Sequence, residues 1–338
     1  MRALQSLALR FDGKRLSILD QSLLPGAEVW VDVTDPRAMI EAIQKLQVRG
    51  APLLGVAAAL CLACVAESGA SHAQLESDAL WLRRARPTAV NLMWALDRLR
   101  HVLERGGSKD DLILEAEHIF LEDVLLCEHM AEHGAALIRG GESLLTHCNT
   151  GGLATVGVGT ALGVIHKAHL QNKRIHVFVD ETRPLLQGAR LTAWELEKLD
   201  IPHTLITDSM AAILMRDGRV DRVLVGADRI AVNGDFANKV GTYGLAVQAH
   251  FHGVPFHPVA PYSTVDTHCA RGSDIPIEER AVSEVLGFRE LQWAPEGTDV
   301  FNPSFDVTPV DLVTSLVLDR GVISQADLKA GKLAGGAL

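Results

Sequence analysis

Residues 222–246, RVLVGADRIAVNGDFANKVGTYGLA, contain the pattern that decides the fold. Residues 223–225 are a short apolar run that ends at Gly226, and a run this brief is typical of a buried strand rather than a helix. Asp228 follows the carboxyl end of that strand, which is where open parallel α/β sheets bind their ligands. The segment therefore predicts both a parallel sheet and a functional site at its edge.

Polar residues continue beyond this strand. The Asn-Gly-Asp sequence at 233–235 predicts a turn. Asn238, Lys239 and Thr242 then crowd polar groups around the predicted start of a helix that runs to about His250. The alternative to a binding role is a plain Asn-Gly turn with Asn238 as the N-cap of this helix. For each of these residues alone, a turn or a cap is as good an interpretation as ligand binding. Together they favour a binding loop.

Strand and helix signals alternate on both sides of this segment. Strands are predicted at residues 143–146, 174–179, 203–207, 220–225 and 254–259, and the main helices between them at 152–170 and 184–199. This alternation predicts an α/β fold, with a Rossmann-like parallel sheet and flanking helices. Polar residues follow each strand, so Cys148 and Asp228 are expected to converge at one edge of the sheet.

The N-terminal part has a different pattern. Residues 6–10 and 15–19 predict a hairpin around Asp12-Gly13, residues 28–33 a third strand, and residues 36–46 a helix capped by Asp35. The apolar run 51–66 predicts a buried helix, because it is shorter than a membrane span, with Cys61 and Cys64 as small core residues. We expect a smaller N-terminal α+β domain at 1–140 and a catalytic domain at 141–338, divided at Gly140-Gly141.

Two arginines stand at predicted helix starts in the N-terminal part. Arg49 and Gly50 precede the apolar helix, and Arg86 precedes a helix predicted from Pro-Thr to about Leu103. Helix N-termini and guanidinium groups both favour anions, so these two units suggest one shared anionic ligand. Glycine turns with solvated arginines are the alternative interpretation.

Composition limits the class of protein and its partners. The chain has 338 residues, 48% of them apolar, and a net charge of −10 with no offsetting basic run, which argues against nucleic acid as the main partner. Its five cysteines are scattered, and we expect no secretory signal, no membrane partner and a cytoplasmic location.

Two other kinds of site compete with this interpretation. Gly157, Gly159 and Gly163, with Asp180 after the next strand, resemble a dinucleotide fingerprint and make a dehydrogenase the rival enzyme class. These glycines fall inside the predicted helix 152–170, where they favour close helix–sheet packing instead.

A metal site is the other alternative, because histidines at 252, 257 and 268 and a cysteine at 269 lie close in sequence. Their spacing matches no zinc pattern, so we expect a metal-free protein.

Several strings identify a family by resemblance. They are VRGAP at 48–52, RPTAVNL at 86–92, THCNTGGLAT at 146–155, ETRPLLQGARLTAWEL at 181–196, GADRIAVNGDFANKVGTY at 226–243 and FNPSFDVTP at 301–309. Across nearly the whole chain they resemble the S-methyl-5-thioribose-1-phosphate isomerases, in the initiation factor 2B alpha/beta/delta-like family. The resemblance implies an isomerase of methionine salvage, and so of methionine and amino-acid biosynthesis, that acts as a homodimer without a cofactor.

The resemblance also implies roles for individual residues. The catalytic pair of the family falls on Cys148 and Asp228. The family's substrate contacts fall on a set drawn from four of the strings: Arg49, Gly50, Ala51, Arg86, Gln187, Asn238 and Lys239. Ribose-1,5-bisphosphate isomerases and the non-catalytic regulatory subunits of initiation factor 2B share the fold and are the alternatives; a regulatory subunit would have no chemical reason to keep the catalytic pair.

The implied reaction turns 5-methylthioribose 1-phosphate into 5-methylthioribulose 1-phosphate, an aldose into a ketose. Because phosphate esterifies the anomeric oxygen, the ring needs help to open, and hydrogen must then pass between C2 and C1 as a proton or a hydride. Two acid/base groups would suffice without metal or nicotinamide. We expect Asp228 to act on the ring oxygen and Cys148 at the carbon centre, or the reverse. A helix directly after Cys148 is expected to lower the pKa of its thiol, whereas an apolar pocket would raise it.

Overall fold

The chain forms two compact units in the computed structural model, which describes residues 2–86 and 89–335. The first unit contains the residues up to His129 together with Thr150–Gly163. The second contains Met130–Asn149 and the residues from Val164 onward. The domain division that we place at Gly140-Gly141 stays a prediction.

An antiparallel sheet of four short strands opens the first unit, in the order β1-β2-β3-β4. The strands are β1 (Leu4–Gln5), β2 (Leu9–Phe11), β3 (Leu16–Leu19) and β4 (Trp30–Asp32). The predicted hairpin joins β2 to β3, and the side chain of Asp12 closes it by accepting hydrogen bonds from the amides of Lys14 and Arg15. The predicted third strand is β4, which pairs with β3.

Five helices follow these strands. They are α1 (Pro36–Gln44), α2 (Ala51–Glu67), α3 (His72–Arg83), α4 (Val90–Glu104) and α5 (Lys109–Ala135). The predicted cap is confirmed, since Asp35 accepts a hydrogen bond from the Arg37 amide. Helix α1 ends before the predicted Leu46, whose φ of 55° lies in the left-handed region. The predicted start of α4 at Pro87 and Thr88 lies outside the described residues.

Helix α2 is the buried helix that the apolar run predicts. Cys61 and Cys64 both lie in the core, and burial raises the pKa of Cys61 well above its usual range and that of Cys64 to about 12. Both thiols therefore stay protonated and act as small core residues, as predicted. Within the described ranges, no helix is long and apolar enough to cross a membrane.

The second unit is built around a parallel sheet, which confirms the predicted α/β class. In chain order, the strands from β5 onward are β5 (Ser143–Thr146), β6 (His176–Asp180), β7 (His203–Ile206), β8 (Arg222–Val225), β9 (Arg229–Ala231), β10 (Phe236–Lys239), β11 (Phe256–Pro258), β12 (Val265–Asp266), β13 (Gly287–Phe288), β14 (Leu291–Gln292), β15 (Phe305–Thr308), β16 (Ser315–Leu318) and β17 (Gly321–Ser324). Five of them form the parallel sheet, in the order β11-β8-β5-β6-β7. A second sheet has the order β12-β9-β10-β15, and two hairpins pair β13 with β14 and β16 with β17.

The remaining helices are mostly short. They are α6 (Ala161–Leu170), α7 (Ala193–Lys198), α8 (Ala211–Arg216), α9 (Thr242–His252), α10 (Ser283–Leu286) and α11 (Gln325–Lys329), and a π-helical segment, Gly188–Thr192, precedes α7. The apolar run of β8 is completely buried, as its sequence predicts.

One helix prediction is wrong at its start, and the alternative interpretation of Asn238 as an N-cap is also wrong. The helix predicted from residue 152 begins only at Ala161, because Gly159 adopts a φ of 98° and an added Cβ there would lie 2.5 Å from the Gly151 Cα. Asn238 is not an N-cap. It lies in β10, and α9 begins at Thr242, after Gly241 with its φ of 106°. Long-range packing overrides the local signal in both cases.

A buried carboxyl group on α5 gives the first unit a testable pH response. Asp123 accepts a 2.7 Å hydrogen bond from the Val156 amide, but burial outweighs its backbone hydrogen bonds and raises its pKa to about 6. The unfolded chain releases this proton at lower pH than the folded chain does. The contribution of Asp123 to stability is therefore present at acidic pH and is lost as pH rises through about 6.

Asp123→Asn removes this ionisation. The unfolding free energy of the variant minus that of wild type should be about 2 kcal/mol more favourable to the variant at pH 7.5 than at pH 4.5. Urea denaturation at both pH values measures this difference. Asp110→Asn, on the exposed first turn of the same helix, is the control for losing a negative charge. A stability difference between Asp123→Asn and wild type that is constant across this range would contradict the assignment.

Candidate active site

The carboxyl ends of four adjacent strands form one edge of the parallel sheet. Strand β5 pairs with β8 on one side and with β6 on the other, with Thr146 opposite Leu224 and Val179. Cys148 follows β5 and Asp228 follows β8, so the two residues leave neighbouring strands at the same edge. Asp180 ends β6, and Asp208 follows β7. The edge thus collects one thiol and three carboxyl groups.

The backbone of Cys148 is held in an unusual conformation. Its φ is 64°, a region that residues other than glycine seldom adopt and that recurs at functional sites. The Cys148 amide donates to Thr182 Oγ1 at 2.8 Å, and Thr192 Oγ1 donates to the Cys148 carbonyl at 2.6 Å. Two threonine hydroxyls therefore fix this half-buried residue from both sides.

The Thr182 turn is strained in the same way. Thr182 is β-branched and has a φ of 65°, which is a rare combination. The carboxylate of Asp208 compensates, because its two oxygens accept hydrogen bonds from the amides of Thr182 and Arg183 at 2.8 and 2.7 Å. Asp208 thus stabilises the turn against which the Cys148 amide is fixed.

The π-helical segment passes very close to β6. A Cβ added to Gly188 would lie 1.7 Å from the Asp180 carbonyl oxygen, so only glycine fits there. The preceding residue, Gln187, is buried, and its Oε1 has no hydrogen-bond partner among the described residues. A π-helical turn at such a place is frequent in functional sites, and a buried acceptor of this kind suits a ligand hydroxyl.

Asn149 continues the network on the far side of Cys148. Its Nδ2 donates to Glu195 Oε1 at 2.7 Å and to Thr192 Oγ1 at 3.3 Å. All three side chains are buried. Asn149 therefore links the Cys148 segment to α7. The helix that we predict directly after Cys148, whose dipole was expected to act on the thiol, begins only at Ala161 and is not next to Cys148 in the chain.

His147 is completely buried beside Cys148 and has a partner on each ring nitrogen. Its Nε2 lies 3.0 Å from the Val240 carbonyl oxygen, and its Nδ1 lies 3.0 Å from Asp180 Oδ2. Because a carbonyl oxygen only accepts, Nε2 carries a proton. Burial lowers the pKa of His147, but the hydrogen bond and charge of Asp180 outweigh it and raise that pKa above its usual value.

A metal ion could in principle occupy part of this network. Ligand atoms of His147, Asp180 and Asp208 all lie within 4.8 Å of one another. Both nitrogens of His147 have partners and both oxygens of Asp208 accept amides, whereas Asp180 Oδ1 has no hydrogen-bond partner among the described residues. A metal would have to displace these hydrogen bonds, so the arrangement fits a hydrogen-bond network better. The metal-free protein stays a prediction.

Asp228, Asn238 and Lys239 lie on the hairpin after β8. The turn predicted at 233–235 joins β9 to β10, and the Asp228 amide donates to the Ala237 carbonyl at 2.9 Å. Lys239 is buried, and its Nζ donates to the Ser304 carbonyl at 2.6 Å. Asn238, also buried, donates to Thr242 Oγ1. Asp228 itself is half-buried.

Three comparisons with known proteins identify the family of this chain. The model of the Initiation factor 2 subunit family matches residues 47–325. The chain belongs to this family. It is 54% identical to methylthioribose-1-phosphate isomerase of Klebsiella pneumoniae (strain 342), over 99% of both chains.

Two solved structures of the family are also similar over nearly their whole length. The crystal structure of 5-methylthioribose 1-phosphate isomerase from Pyrococcus horikoshii OT3 superposes with a TM-score of 0.89 at 40% identity, covering 97% of this chain and 96% of that one. The translation initiation factor eIF-2B, subunit delta, from A. fulgidus gives a TM-score of 0.85 at 40% identity, covering 98% and 99%.

In this family member, the first unit holds the other predicted contacts. Arg49 and Ala51 are buried, and Gly50 has a φ of 90° with the Ala154 Cα 2.5 Å from where its Cβ would be. The Leu53 amide donates to the Ala154 carbonyl. The residue between Ala51 and Leu53 is a proline, which has no amide hydrogen, and the Leu53 amide is already used. The start of α2 therefore offers an anion fewer free amides than an ordinary helix start does. Arg86 is half-buried just after α3.

The rival dinucleotide site does not form. No helix begins at Gly157; a Cβ there would lie 2.6 Å from the Cys127 Cβ, so this glycine allows close packing against α5. The rival interpretation assigns Asp180 to a ribose, but that carboxylate is bonded to His147. Of the clustered histidines, His257 is bonded to Ser315 and Arg222 through its two ring nitrogens.

Sequence reasoning identified some of these residues only as polar strand ends. The prediction that polar residues follow each strand covers His147, Thr182 and Asp208 without giving them a role. Asp180 has a role only in the rival dinucleotide site, and Thr192 has none. The usable signal was their place after predicted strands. Their hydrogen bonds to one another depend on tertiary structure, which no local pattern encodes.

Proposed function

We propose that this chain is an aldose–ketose isomerase that converts 5-methylthioribose 1-phosphate to 5-methylthioribulose 1-phosphate in methionine salvage. The observation that carries the proposal is the 54% identity, over 99% of both chains, to a relative named for this activity. The geometry supports it, because a thiol and a carboxyl group follow adjacent parallel strands, and the backbone beside the thiol is fixed by two hydroxyls.

The two acid/base groups that the reaction needs are Cys148 and Asp228. Asp228 protonates the ring oxygen as the bond between that oxygen and C1 breaks, which leaves an oxocarbenium centre at C1 with the phosphate ester in place. Asp228 regains a proton when the C2 hydroxyl loses its own and becomes the ketone carbonyl. Cys148 serves the carbon centre, where a hydrogen leaves C2 and one arrives at C1. The backbone of Cys148 is fixed at the sheet edge by the hydrogen bonds to its amide and carbonyl, and a fixed position of the reacting residue favours proton transfer.

The sugar hydroxyls need donors and acceptors that are already desolvated. We assign this role to Gln187, Asn238 and Lys239, all of which are buried, and Gln187 has a buried oxygen available. The backbone at Gly50 and Ala51 belongs to the same proposed set. Buried polar groups of this kind bind a matching hydroxyl and reject an analogue that lacks it.

Arg49 and Arg86 are proposed to bind the substrate phosphate. Arg86→Ala should raise KM, because a charge-assisted hydrogen bond contributes on the order of 1.5–3 kcal/mol. Steady-state kinetics measure the change, and Arg105→Ala, on the exposed end of α4, is the control for losing one arginine. Equal KM and kcat in Arg86→Ala and wild type would rule out the assignment.

The experiment that tests the function follows the product directly. The purified protein, after exhaustive chelation, is incubated with 5-methylthioribose 1-phosphate, and carbon NMR detects the ketose carbonyl. We expect conversion without added metal. No conversion in any buffer would overturn the proposal. Conversion restored only by a divalent cation would contradict the metal-free mechanism and make His147, Asp180 and Asp208 the candidate metal ligands.

A regulatory, non-catalytic subunit is the second candidate, because a translation initiation factor subunit is 40% identical over nearly the whole chain. A ribose-1,5-bisphosphate isomerase is the nearest enzymatic alternative. A protein that only binds a partner has no chemical need for a strained cysteine and an aspartate on adjacent strands. This pairing is why we favour the enzyme.

We further propose that the enzyme is a cytoplasmic homodimer. None of the five cysteines, all of which the structure describes, forms a disulfide, and this suits a reducing compartment. Helix α9 leaves three apolar side chains on one face: Tyr243, Val247 and Phe251, the last 82% exposed. Exposed apolar patches of this kind mark interfaces, and a second copy of the chain is the occupant that we propose.

Sedimentation velocity tests this assembly. Wild type should sediment as a dimer of the 36.5 kDa chain at micromolar concentration, and Phe251→Glu should shift it towards monomer. Leu170→Glu is the matched control, because Leu170 is a 62% exposed leucine at the end of α6 and not part of α9. A wild-type protein that sediments as a monomer would contradict the proposed homodimer.

A further inference from the structure

His147 connects two parts of the proposed site through a single buried ring. It directly precedes Cys148 at the end of β5, and its Nε2 donates to the Val240 carbonyl at 3.0 Å. Val240 directly follows Lys239 at the end of β10. One imidazole therefore joins the strand that leads to the thiol with the strand that carries Asn238 and Lys239.

The Val240–Gly241 link is shaped to receive this ring. Gly241 has a φ of 106°, and a Cβ there would lie 2.8 Å from His147 Cε1, so the link approaches the imidazole more closely than any other residue allows. On its other side, Asp306 accepts hydrogen bonds from the amides of Gly241 and Tyr243 at 2.7 and 3.0 Å. The link is thus held from both sides.

Asp180 sets the orientation of the ring. Its Oδ2 lies 3.0 Å from His147 Nδ1, while its Oδ1 is buried without a hydrogen-bond partner among the described residues. Burying a carboxyl group with one oxygen lacking a hydrogen bond costs free energy, so a role in packing alone does not explain Asp180. With Nδ1 on Asp180 and Nε2 on Val240, the imidazole has neither rotational nor tautomeric freedom.

We propose that His147 and Asp180 form a positioning pair for the isomerase reaction: Asp180 orients the imidazole, and the imidazole fixes Cys148 relative to Asn238 and Lys239. This inference rests on the proposed function and adds two residues to it. Neither residue is assigned contact with substrate. Their effect passes through the hydrogen bond to Val240 and through the backbone that leads into Cys148.

Two substitutions of Asp180 separate orientation from charge. In Asp180→Asn the amide can donate to a neutral Nδ1 while Nε2–H still donates to Val240, so the ring orientation is kept and the charge is lost. In Asp180→Ala the Nδ1 atom loses its hydrogen-bond partner, and the remaining carboxyl oxygen near it, Asp208 Oδ1, lies 4.0 Å away. A positioning role requires the alanine variant to be much worse than the asparagine variant.

His257→Gln is the matched control. His257 is also a buried imidazole with a partner on each nitrogen, and it lies in β11 of the same sheet. Its loss should lower the melting temperature, as the loss of the Asp180 hydrogen bond does, without touching the proposed site. The control therefore reports what general destabilisation alone does to activity.

Steady-state kinetics give the first readout. We expect Asp180→Ala to lower kcat/KM about 10- to 100-fold, with both a lower kcat and a higher KM, because small displacements of reacting groups have effects of this size. Asp180→Asn should stay within about threefold of wild type because it retains the hydrogen bond, and His257→Gln should match wild type. Equal losses in both Asp180 variants, or a loss in His257→Gln equal to that in Asp180→Ala, would overturn the proposal.

Alkylation of Cys148 gives a second readout that needs no substrate. Iodoacetamide is added to each variant, and mass spectrometry follows the peptide that contains Cys148. We expect the rate in Asp180→Ala to change by about tenfold, because a released backbone alters thiol access and environment, and the other variants to match wild type. If wild type turns over no sugar phosphate but this pattern holds, the proposed function fails and the positioning pair stands. An unchanged rate in Asp180→Ala would overturn the pair itself.

Discussion

Asp228→Asn and Cys148→Ser should each lower kcat by about 10²-fold or more, the usual scale for a lost general acid or base. Asparagine keeps the shape of the carboxyl group but cannot exchange its proton, and the serine hydroxyl is far less acidic than a thiol. Neither change removes a backbone hydrogen bond of the network, since those at Cys148 run through its amide and carbonyl. Substrate binding by calorimetry should therefore change little.

The double variant sharpens this expectation. If the two residues act as one unit, Asp228→Asn combined with Cys148→Ser should be barely worse than the worse single variant. Cys269→Ser is the control, because Cys269 is a buried thiol of the second unit that donates to the Arg271 carbonyl. Near-normal turnover by Cys148→Ser would make Cys148 a packing residue and end the two-residue mechanism.

Gly188→Ala is expected to damage both stability and activity. The new Cβ would lie 1.7 Å from the Asp180 carbonyl oxygen, and β6, which carries that oxygen, is a buried inner strand that cannot retreat. Overpacking of this kind costs about 3 kcal/mol or more when neither side yields. If the π-helical segment moves instead, Thr192 and Gln187 move with it, and the Cys148 carbonyl loses its donor. We expect kcat to fall about 10²-fold in the protein that remains folded.

Gly140→Ala is the matched control for this substitution. A Cβ at Gly140 meets only the Lys173 carbonyl oxygen, at an ordinary 3.6 Å, and the position is exposed. Its melting temperature and kcat should equal those of wild type, because a glycine without positive φ or close neighbours tolerates alanine. A Gly188→Ala protein with wild-type melting temperature and kcat would show that the segment has room that the structure does not give it.

The sequence predicts the sheet well because the strand signal is local. Strand β5 has the predicted bounds, and the apolar run of β8 is buried, since short apolar runs between polar ends have few other folds available. Helix starts were harder to predict. Asn238 looks like a cap, but it pairs with Asp306 in β15, a partner that is distant in sequence. The turns before α6 likewise depend on Gly159 meeting Gly151.

In the candidate site, too, features with a local sequence signal could be predicted and features that depend on tertiary contacts could not. Cys148 and Asp228 are recognisable because each follows a predicted strand, and the family resemblance singles out the same two residues. The partners of His147 were not predictable, because a carbonyl oxygen such as that of Val240 belongs to every residue type and leaves no trace in the sequence. The strained φ values at Cys148 and Thr182 are equally invisible, since neither residue type favours them.

A comparison of two sugar phosphates as substrates tests the claim that this protein isomerises methylthioribose 1-phosphate. The chelated wild-type protein is assayed with 5-methylthioribose 1-phosphate and, separately, with ribose 1,5-bisphosphate, and kcat/KM is determined for each. We predict a value at least about tenfold higher for the methylthio sugar, a ratio that differences between bound substituents readily give. Turnover of neither sugar, or a higher kcat/KM for the bisphosphate, would contradict the claim.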